Sequence, residues 1–362
     1  MNILYLANTK VIDGCGYYRN LLPSLYLESS GMDTCKITNQ ITTKTDKDKK
    51  GNIINVYYEL SILQWADILV FNRFLDAPYE PLVKTMIQAA KHYKTAIVYE
   101  TDDDFYNIPL SNPVRENALR ALPLIRIMTE AADAYTVTTK RLGDTLLANS
   151  IREKPVYVLP NSVEIGRFVT KHDLFIKPKK PGVIRIGWSG GATHVLDFKK
   201  TGCFDALKEI VATNNDVEFV FMGSSNVNDI FDFKHESVGF VPIDIFPETL
   251  RSLDLDIALC PLENYTFNAN KSAIKWEEYS ACGYVTVYSD VPPYSDVIKH
   301  GKTGFAVNNT KEEWLNTLNR LIADKELRTR TARLAFSEVY NKFNMEKNFM
   351  LWHKAYKEVL KR

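Results

Sequence analysis

Short runs of apolar, β-type residues alternate with longer stretches of helical spacing along nearly the whole chain. Asn2–Ala7 and the runs 68–71, 96–99, 134–138 and 156–159 are almost continuously hydrophobic. Runs of that length between polar turns predict strands buried on both faces. Between them, Glu80–Tyr93 and 117–132 carry apolar positions three and four apart, the stripe of a helix packed on a sheet. Strand and helix in alternation predict an α/β chain built on parallel sheet covered on both sides.

The pattern breaks once. After Pro160-Asn161-Ser162, residues 171–180 are rich in lysine and lack periodicity, ending at Pro181-Gly182, the composition of a linker. The alternation then restarts with a strand at 183–187, a turn at Gly190-Gly191, a helix at 205–213 and a strand at 217–222. Further strands follow at Ile257–Cys260 and 285–288. This predicts Rossmann-like domains over 1–160 and 181–335, a linker at 161–180 and a terminal helix within 336–362. In that last segment Val339, Phe343, Phe349, Trp352, Tyr356 and Val359 mark the apolar face.

The two halves open alike. Ile3-Leu4-Tyr5-Leu6 leads to Gly14-Cys15-Gly16 and a helix from about Tyr18; Ile184-Arg185-Ile186-Gly187 leads to Ser189-Gly190-Gly191 and another helix. A glycine turn feeding a helix start offers unpaired N–H groups and the positive end of the helix dipole to an anion. Gly14-x-Gly16 lacks the third glycine of a dinucleotide fingerprint, and no GxxxxGK[ST] phosphate loop occurs. Because ligands of such sheets bind at the carboxyl ends of the strands, both halves are expected to turn their loops to one central cleft.

Charge and cysteine usage remove several classes. With 45 Lys+Arg against 44 Asp+Glu, the whole molecule carries no electrostatic footprint for nucleic acid. No run of 18 apolar residues is present, against a membrane-spanning helix, and the N-terminal residues lack the basic start of a signal peptide. The five scattered cysteines form no CxxC pair, which predicts reduced thiols and a cytoplasmic protein, without a structural zinc or a disulfide framework.

Asn270-Lys271-Ser272-Ala273-Ile274-Lys275-Trp276-Glu277-Glu278-Tyr279-Ser280-Ala281-Cys282-Gly283 and the strand after it resemble the nucleotide-binding signature of GT-B glycosyltransferases, above all the retaining group called family four. Lys275, Glu278, Tyr279, Ala281 and Gly283 fall on the family's places. Val158-Leu159-Pro160-Asn161-Ser162 is similar to its hinge, and Ile298-Lys299-His300-Gly301-Lys302-Thr303-Gly304 to the turn that follows the signature. The resemblance implies the GT-B fold, two Rossmann-like domains facing a central cleft with the C-terminal helix crossing back to the N-terminal domain. It implies retaining transfer of a sugar from a nucleoside-diphosphate sugar, first of all a UDP-sugar, with no divalent metal or other cofactor. The acceptor hydroxyl would belong to a saccharide or to a hydroxymethylated base in phage DNA, as in small bacterial or phage-encoded enzymes acting in the cytoplasm. The alternative is a catalytically weak nucleotide-sugar-binding or scaffold protein of the same fold.

The same resemblance assigns roles. Glu278 would accept hydrogen bonds from the ribose hydroxyls, and the amides of Ser189, Gly190 and Gly191 would face the diphosphate. Gly14, Gly16, Asn270, Lys271, Ser272 and Lys275 complete the donor side. His194, just after the glycine turn, would contact the diphosphate, since imidazole and amide groups both stabilise a phosphate leaving group. Asp102 stands where the family's N-domain histidine is found and is the second catalytic candidate, with Asp103 and Arg19 on the acceptor side. The sequence departs from the family at Asn270, where a first glutamate is usual, and at Trp188, in place of a strand-end arginine. The lysine that usually follows that arginine has no match, His194 and Lys199 standing nearest.

Four features keep more than one reading. Lys275 also suits a solvated helix lysine, and His194 a satisfied surface histidine. Asp102-x-Asp104 is similar to the metal-bridging pair of GT-A enzymes, yet the run also suits an N-capped turn. Lys44, Lys47, Lys49 and Lys50, with Lys10, Arg19 and Arg73, offer a basic face to a DNA acceptor or a solvated charged hairpin.

Overall fold

The computed structural model describes residues 1–7, 13–38, 43–73, 79–169, 179–224 and 229–362; Lys10 and residues 171–178 of the lysine-rich stretch lie outside these. The chain forms two compact units, one of Met1–Pro160 with Asn348–Arg362, the other of Asn161–Lys347.

The first unit is built on six parallel strands, β1 (Asn2–Ala7), β2 (Thr34–Thr38), β5 (Ile68–Asn72), β6 (Ala96–Thr101), β7 (Ala134–Val137) and β8 (Val156–Val158), in the order β2-β1-β5-β6-β7-β8. Strands β1 and β5 to β7 are the hydrophobic runs read from the sequence, and β5 and β7 are buried at every position. The charged stretch near residue 46 is an antiparallel hairpin, β3 (Thr43–Lys47) with β4 (Ile53–Tyr58), outside the main sheet. Its tip is closed by Asp48 Oδ1, which accepts from the backbone N–H of Lys50 at 2.8 Å and of Asn52 at 2.9 Å.

The terminal helix, Met345–Val359, buries Trp352, Ala355, Tyr356 and Val359. Within the first unit, the Arg19 guanidinium lies 5.3 Å from the Trp352 ring centroid. Tyr356 Oη is 3.3 Å from Tyr5 Oη, and His353 Nδ1 is 2.9 Å from Asp33 Oδ2. The helix starts later than residue 336. Residues 336–342 end a separate helix, Lys325–Lys342, and the break falls at Phe343 and Asn344.

The second unit repeats the design with β9 (Ile184–Gly190), β10 (Val217–Gly223), β11 (Glu236–Val238), β12 (Ile257–Cys260), β13 (Val285–Ser289) and β14 (Phe305–Val307), ordered β11-β10-β9-β12-β13-β14 and all parallel. Trp188 on β9 stacks on Phe198 at 4.6 Å and joins Phe219, Phe221 and Phe231 in the core. The strand-end arginine position is therefore filled by a buried core side chain. Residues 161–169, expected as linker, fold into this unit. Asn161, Ser162 and Val163 are buried, and the helix Ile165–Val169 is tied to the helix Phe246–Ser252 by Arg167 and Glu248 at 2.7 Å.

Both sheets reverse their strand order once, between β1 and β5 and between β9 and β12. Diverging connections on the two sides of such a point leave a crevice beyond the carboxyl ends of the strands.

Candidate active site

In the second unit the crevice is bordered by Ser189, Gly190 and Gly191 at the end of β9 and by the segment 261–273 after β12. The helix Ile274–Ala281 begins there. Its N-cap residue is Ala273, which supplies no side-chain acceptor, whereas Thr139, Thr310 and Asp324 cap the helices that follow them. The first-turn amides of Ile274–Ala281 thus meet an anion without competition from a capping side chain. Cys282 and Gly283 stop the helix. Gly283, at φ +78°, takes the left-handed conformation in which a side chain is strained, and Tyr284 N–H closes the turn on Tyr279 O at 3.0 Å.

The signature side chains converge on β9. Lys275 Nζ donates to Ser189 O at 2.6 Å, and Ser189 N–H donates to Tyr279 Oη at 2.8 Å. Of the three amides expected to face the diphosphate, that of Ser189 is thus already bonded within the protein. Burial lowers the Lys275 ammonium below its usual range, against the pull of Glu278. Glu278 is itself buried, one turn along the same helix. Gly190 is a packing requirement, because a Cβ there would meet the Trp188 ring at 2.4 Å; at Gly191 a Cβ would meet nothing within 4 Å.

His194 follows the glycine turn in a single 3-10 turn, Ala192–His194. Its Nδ1 lies 3.0 Å from Asp197 Oδ2. The other oxygen of Asp197 accepts from Glu263 N–H and from Asn268 Nδ2, both at 2.9 Å. Burial pushes the His194 imidazole down to about 4, with Lys271 and Lys275 adding to the effect and Asp197 opposing it. At neutral pH this histidine is uncharged, so the positive charge beside it comes from Lys271 and Lys275. Lys271 Nζ sits 4.5 Å from the Phe267 ring centroid. Asn270 is buried, and Ser272 Oγ accepts from Asn161 Nδ2 at 2.8 Å. The hinge-like motif therefore holds the loop before the helix. The turn near Gly301 supports the helix itself, Trp276 Nε1 donating to Thr303 O at 2.9 Å.

The first unit has a charged cluster at its own crevice. Arg73, just past β5 at φ +46°, reaches Asp102 at 3.4 Å and Asp103 at 3.2 Å, and donates to Cys15 Sγ. Cys15, Asp102 and Asp103 bring one ligand atom each within 4.8 Å of one another. Two carboxylates and a thiol are a donor set for a transition-metal ion, and here the guanidinium pairs with all three. Asp104 serves the chain itself. Its Oδ1 accepts from the N–H of Tyr106 at 3.0 Å and of Asn107 at 3.2 Å, and its Oδ2 from Asn107 Nδ2 at 2.8 Å. The turn-capping reading describes what Asp104 does within the chain.

Two sequence assignments in this unit meet a physical obstacle. Arg19, expected beside an acceptor, is fully buried. Its Nε donates to Glu100 Oε1 at 2.7 Å, its Nη2 to Glu100 Oε2 at 3.2 Å and its Nη1 to Leu159 O at 2.6 Å. Gly14 and Gly16, expected at a donor phosphate, open a helical turn whose Gly16 N–H donates to Asp13 Oδ1 at 2.7 Å. The protein's own carboxylate occupies that anion position. The sequence reading offered Arg73 only as part of a basic face and did not single out Asp197; its place three residues after His194, on a helix start beyond a glycine turn, was the available signal.

Residues 202–337 match the family model described as Glycosyl transferases group 1. No curated protein matches the chain at the level of sequence. Among solved structures, sucrose-phosphate synthase from Thermosynechococcus elongatus is 13% identical, with 99% of each chain covered and a TM-score of 0.68. The Anabaena protein HepE in complex with UDP and glucose is 13% identical over 99% of this chain and 100% of its own, with a TM-score of 0.65. A glycosyltransferase from Rickettsia africae is 16% identical over 100% of this chain and 99% of its own, at 0.63. At such identities the likeness is one of fold, and it is the GT-B fold of two Rossmann-like domains.

Proposed function

We propose that this chain, a group 1 glycosyltransferase with the GT-B fold, moves the sugar of a UDP-sugar to a saccharide hydroxyl with retention at the anomeric carbon. The observation that carries the proposal is the crevice of the second unit. There the uncapped start of the helix Ile274–Ala281, Lys271 and Lys275 gather positive charge at the strand-order reversal, with buried Glu278 one turn along. Charge develops on the diphosphate as the sugar leaves, and preorganised N–H and ammonium groups stabilise it there more than in the ground state. Glu278 supplies carboxylate oxygens for two ribose hydroxyls. UDP is favoured because the HepE structure holds UDP and glucose. Retention is favoured by the signature from Asn270 to Gly283. In the first unit, Asp102 orients the acceptor hydroxyl and Asp103 supports it, with Arg73 balancing their charge, so that a divalent cation is not required.

The test is a panel of UDP- and GDP-linked sugars against saccharides and against hydroxymethylated DNA, with the product's anomeric configuration read by NMR. Glu278→Ala should weaken UDP binding by about 1.5–3 kcal/mol, the worth of a hydrogen bond to a charged group, and calorimetry measures it. Transfer only to DNA would overturn the saccharide assignment. Unchanged UDP affinity in folded Glu278→Ala would overturn the ribose contact.

A further inference from the structure

We infer that Asp197 is a positioning residue of the donor site: it ties the segment after β9 to the loop after β12 and fixes the tautomer in which His194 meets the transferred sugar. The inference rests on the donor-site reading above and adds to it a residue and a specificity for sugar hydroxyl groups.

The carboxylate of Asp197 is fully buried, and its two oxygens divide their work. Oδ1 accepts from Glu263 N–H and Asn268 Nδ2, each at 2.9 Å, and so holds the loop after β12. Oδ2 lies 3.0 Å from His194 Nδ1 on the other side of the strand-order reversal. An ionised carboxylate only accepts hydrogen bonds, so the ring nitrogen facing it carries the proton. The uncharged imidazole then presents Nε2 as a bare acceptor. Besides Asp197, the charged groups acting on this ring are Lys271 and Lys275.

An acceptor nitrogen repels phosphate oxygens and is matched by a hydroxyl. A nucleotide sugar carries hydroxyls only on its ribose and on the sugar to be transferred. With Glu278 on the ribose, we assign Nε2 of His194 to a hydroxyl of the transferred sugar; a contact with the uracil N3–H instead would weaken UDP and UDP-glucose alike in the variant below. The two lysines and the helix start serve the diphosphate. This replaces the diphosphate contact expected of His194 from the sequence. The arrangement follows the logic by which a buried aspartate holds a catalytic histidine in one tautomer and orientation.

Asp197→Asn separates this role from simple packing. Asparagine can keep its oxygen toward Glu263 and Asn268, which leaves its NH₂ toward His194 Nδ1. That nitrogen must then accept, and the proton moves to Nε2. In full-length protein labelled with ¹⁵N-histidine, two-bond ¹H–¹⁵N spectra report the tautomer directly. The expected result is Nδ1–H in the wild type and Nε2–H in Asp197→Asn. The variant should lose about tenfold in UDP-glucose affinity or in transfer kcat, the worth of one hydrogen bond, and should bind UDP, which has no transferred sugar, like the wild type. Asp197→Ala, which loses all three bonds, should weaken UDP binding too. An Nε2–H wild type, an unchanged tautomer in Asp197→Asn, or equal losses for UDP and UDP-glucose in that variant would each overturn the inference. A wild type that binds neither UDP nor UDP-glucose would overturn the donor-site reading instead, and the tautomer spectra would still decide whether Asp197 fixes the ring.

Discussion

Replacing Glu100 by alanine should unfold the first unit more readily than any surface change could. Glu100 is completely buried, accepts from Arg19 Nε at 2.7 Å and Nη2 at 3.2 Å, and also takes the hydroxyl of Thr136. Without it the Arg19 guanidinium stays in the interior, stripped of its carboxylate partner, with Leu159 O, at 2.6 Å, and the Trp352 ring still beside it. Removing one member of a buried pair costs about 3–5 kcal/mol, because the other charge is left uncompensated. For a unit of this size each kcal/mol moves the melting midpoint by about 2–4 °C, giving a fall of about 6–20 °C. Differential scanning calorimetry of wild type, Glu100→Ala and the paired Arg19→Met/Glu100→Leu variant provides the measurement. The paired variant should recover most of the loss, since a well-packed apolar pair can match a buried ion pair. A single variant that melts within about 2 °C of wild type, less than 1 kcal/mol, would refute the reasoning and return Arg19 to the surface chemistry expected from the sequence.

Two further outcomes are expected. Transfer by the wild type should persist in EDTA and Asp102→Asn should lose about 10²-fold or more in rate, as for a group acting on a reacting hydroxyl; loss of activity in EDTA with recovery on adding Mn²⁺ would contradict the metal-free mechanism. The folded state keeps His194 neutral down to about pH 4, whereas an unfolded histidine takes its proton near 6.5. The unfolded state therefore binds more protons in this window, and stability, full above about pH 6.5, should fall as the pH drops toward 4. Urea titrations should show a smaller fall across that window in His194→Gln, and an identical fall in both proteins would contradict the assignment.

What could be read from the sequence follows from what each residue type can do without a partner. Near-continuous apolar runs such as Asn2–Ala7 and Ile257–Cys260 suit little besides strands buried on both faces, so both sheets were legible. Short or polar strands such as Glu236–Val238 and Thr43–Lys47 carry no such pattern, and only their pairing defines them. Charged residues misled for the same reason. Arg19 in isolation looks like a surface cation, and nothing local shows that Glu100, 81 positions away, meets it in the interior. Within Asp102-Asp103-Asp104 the division between a turn cap and two partners of Arg73 depends on a residue from a different strand end. Asp197 likewise gains its place from Glu263 and Asn268, which the fold brings to it.

The first unit is made of two pieces of chain, and this sets an order of events during synthesis. Protein units generally fold as they leave the ribosome, N-terminal parts first. Residues 1–160 emerge early, yet the helix that covers Tyr5 and Arg19 with Tyr356 and Trp352 is translated only after the whole of Asn161–Lys347. Until then the first sheet waits with an apolar face uncovered. A nascent chain halted near residue 340 would thus hold a second unit with all six of its strands and a first unit still open to proteases and chaperones, although every strand of that first unit had been made long before.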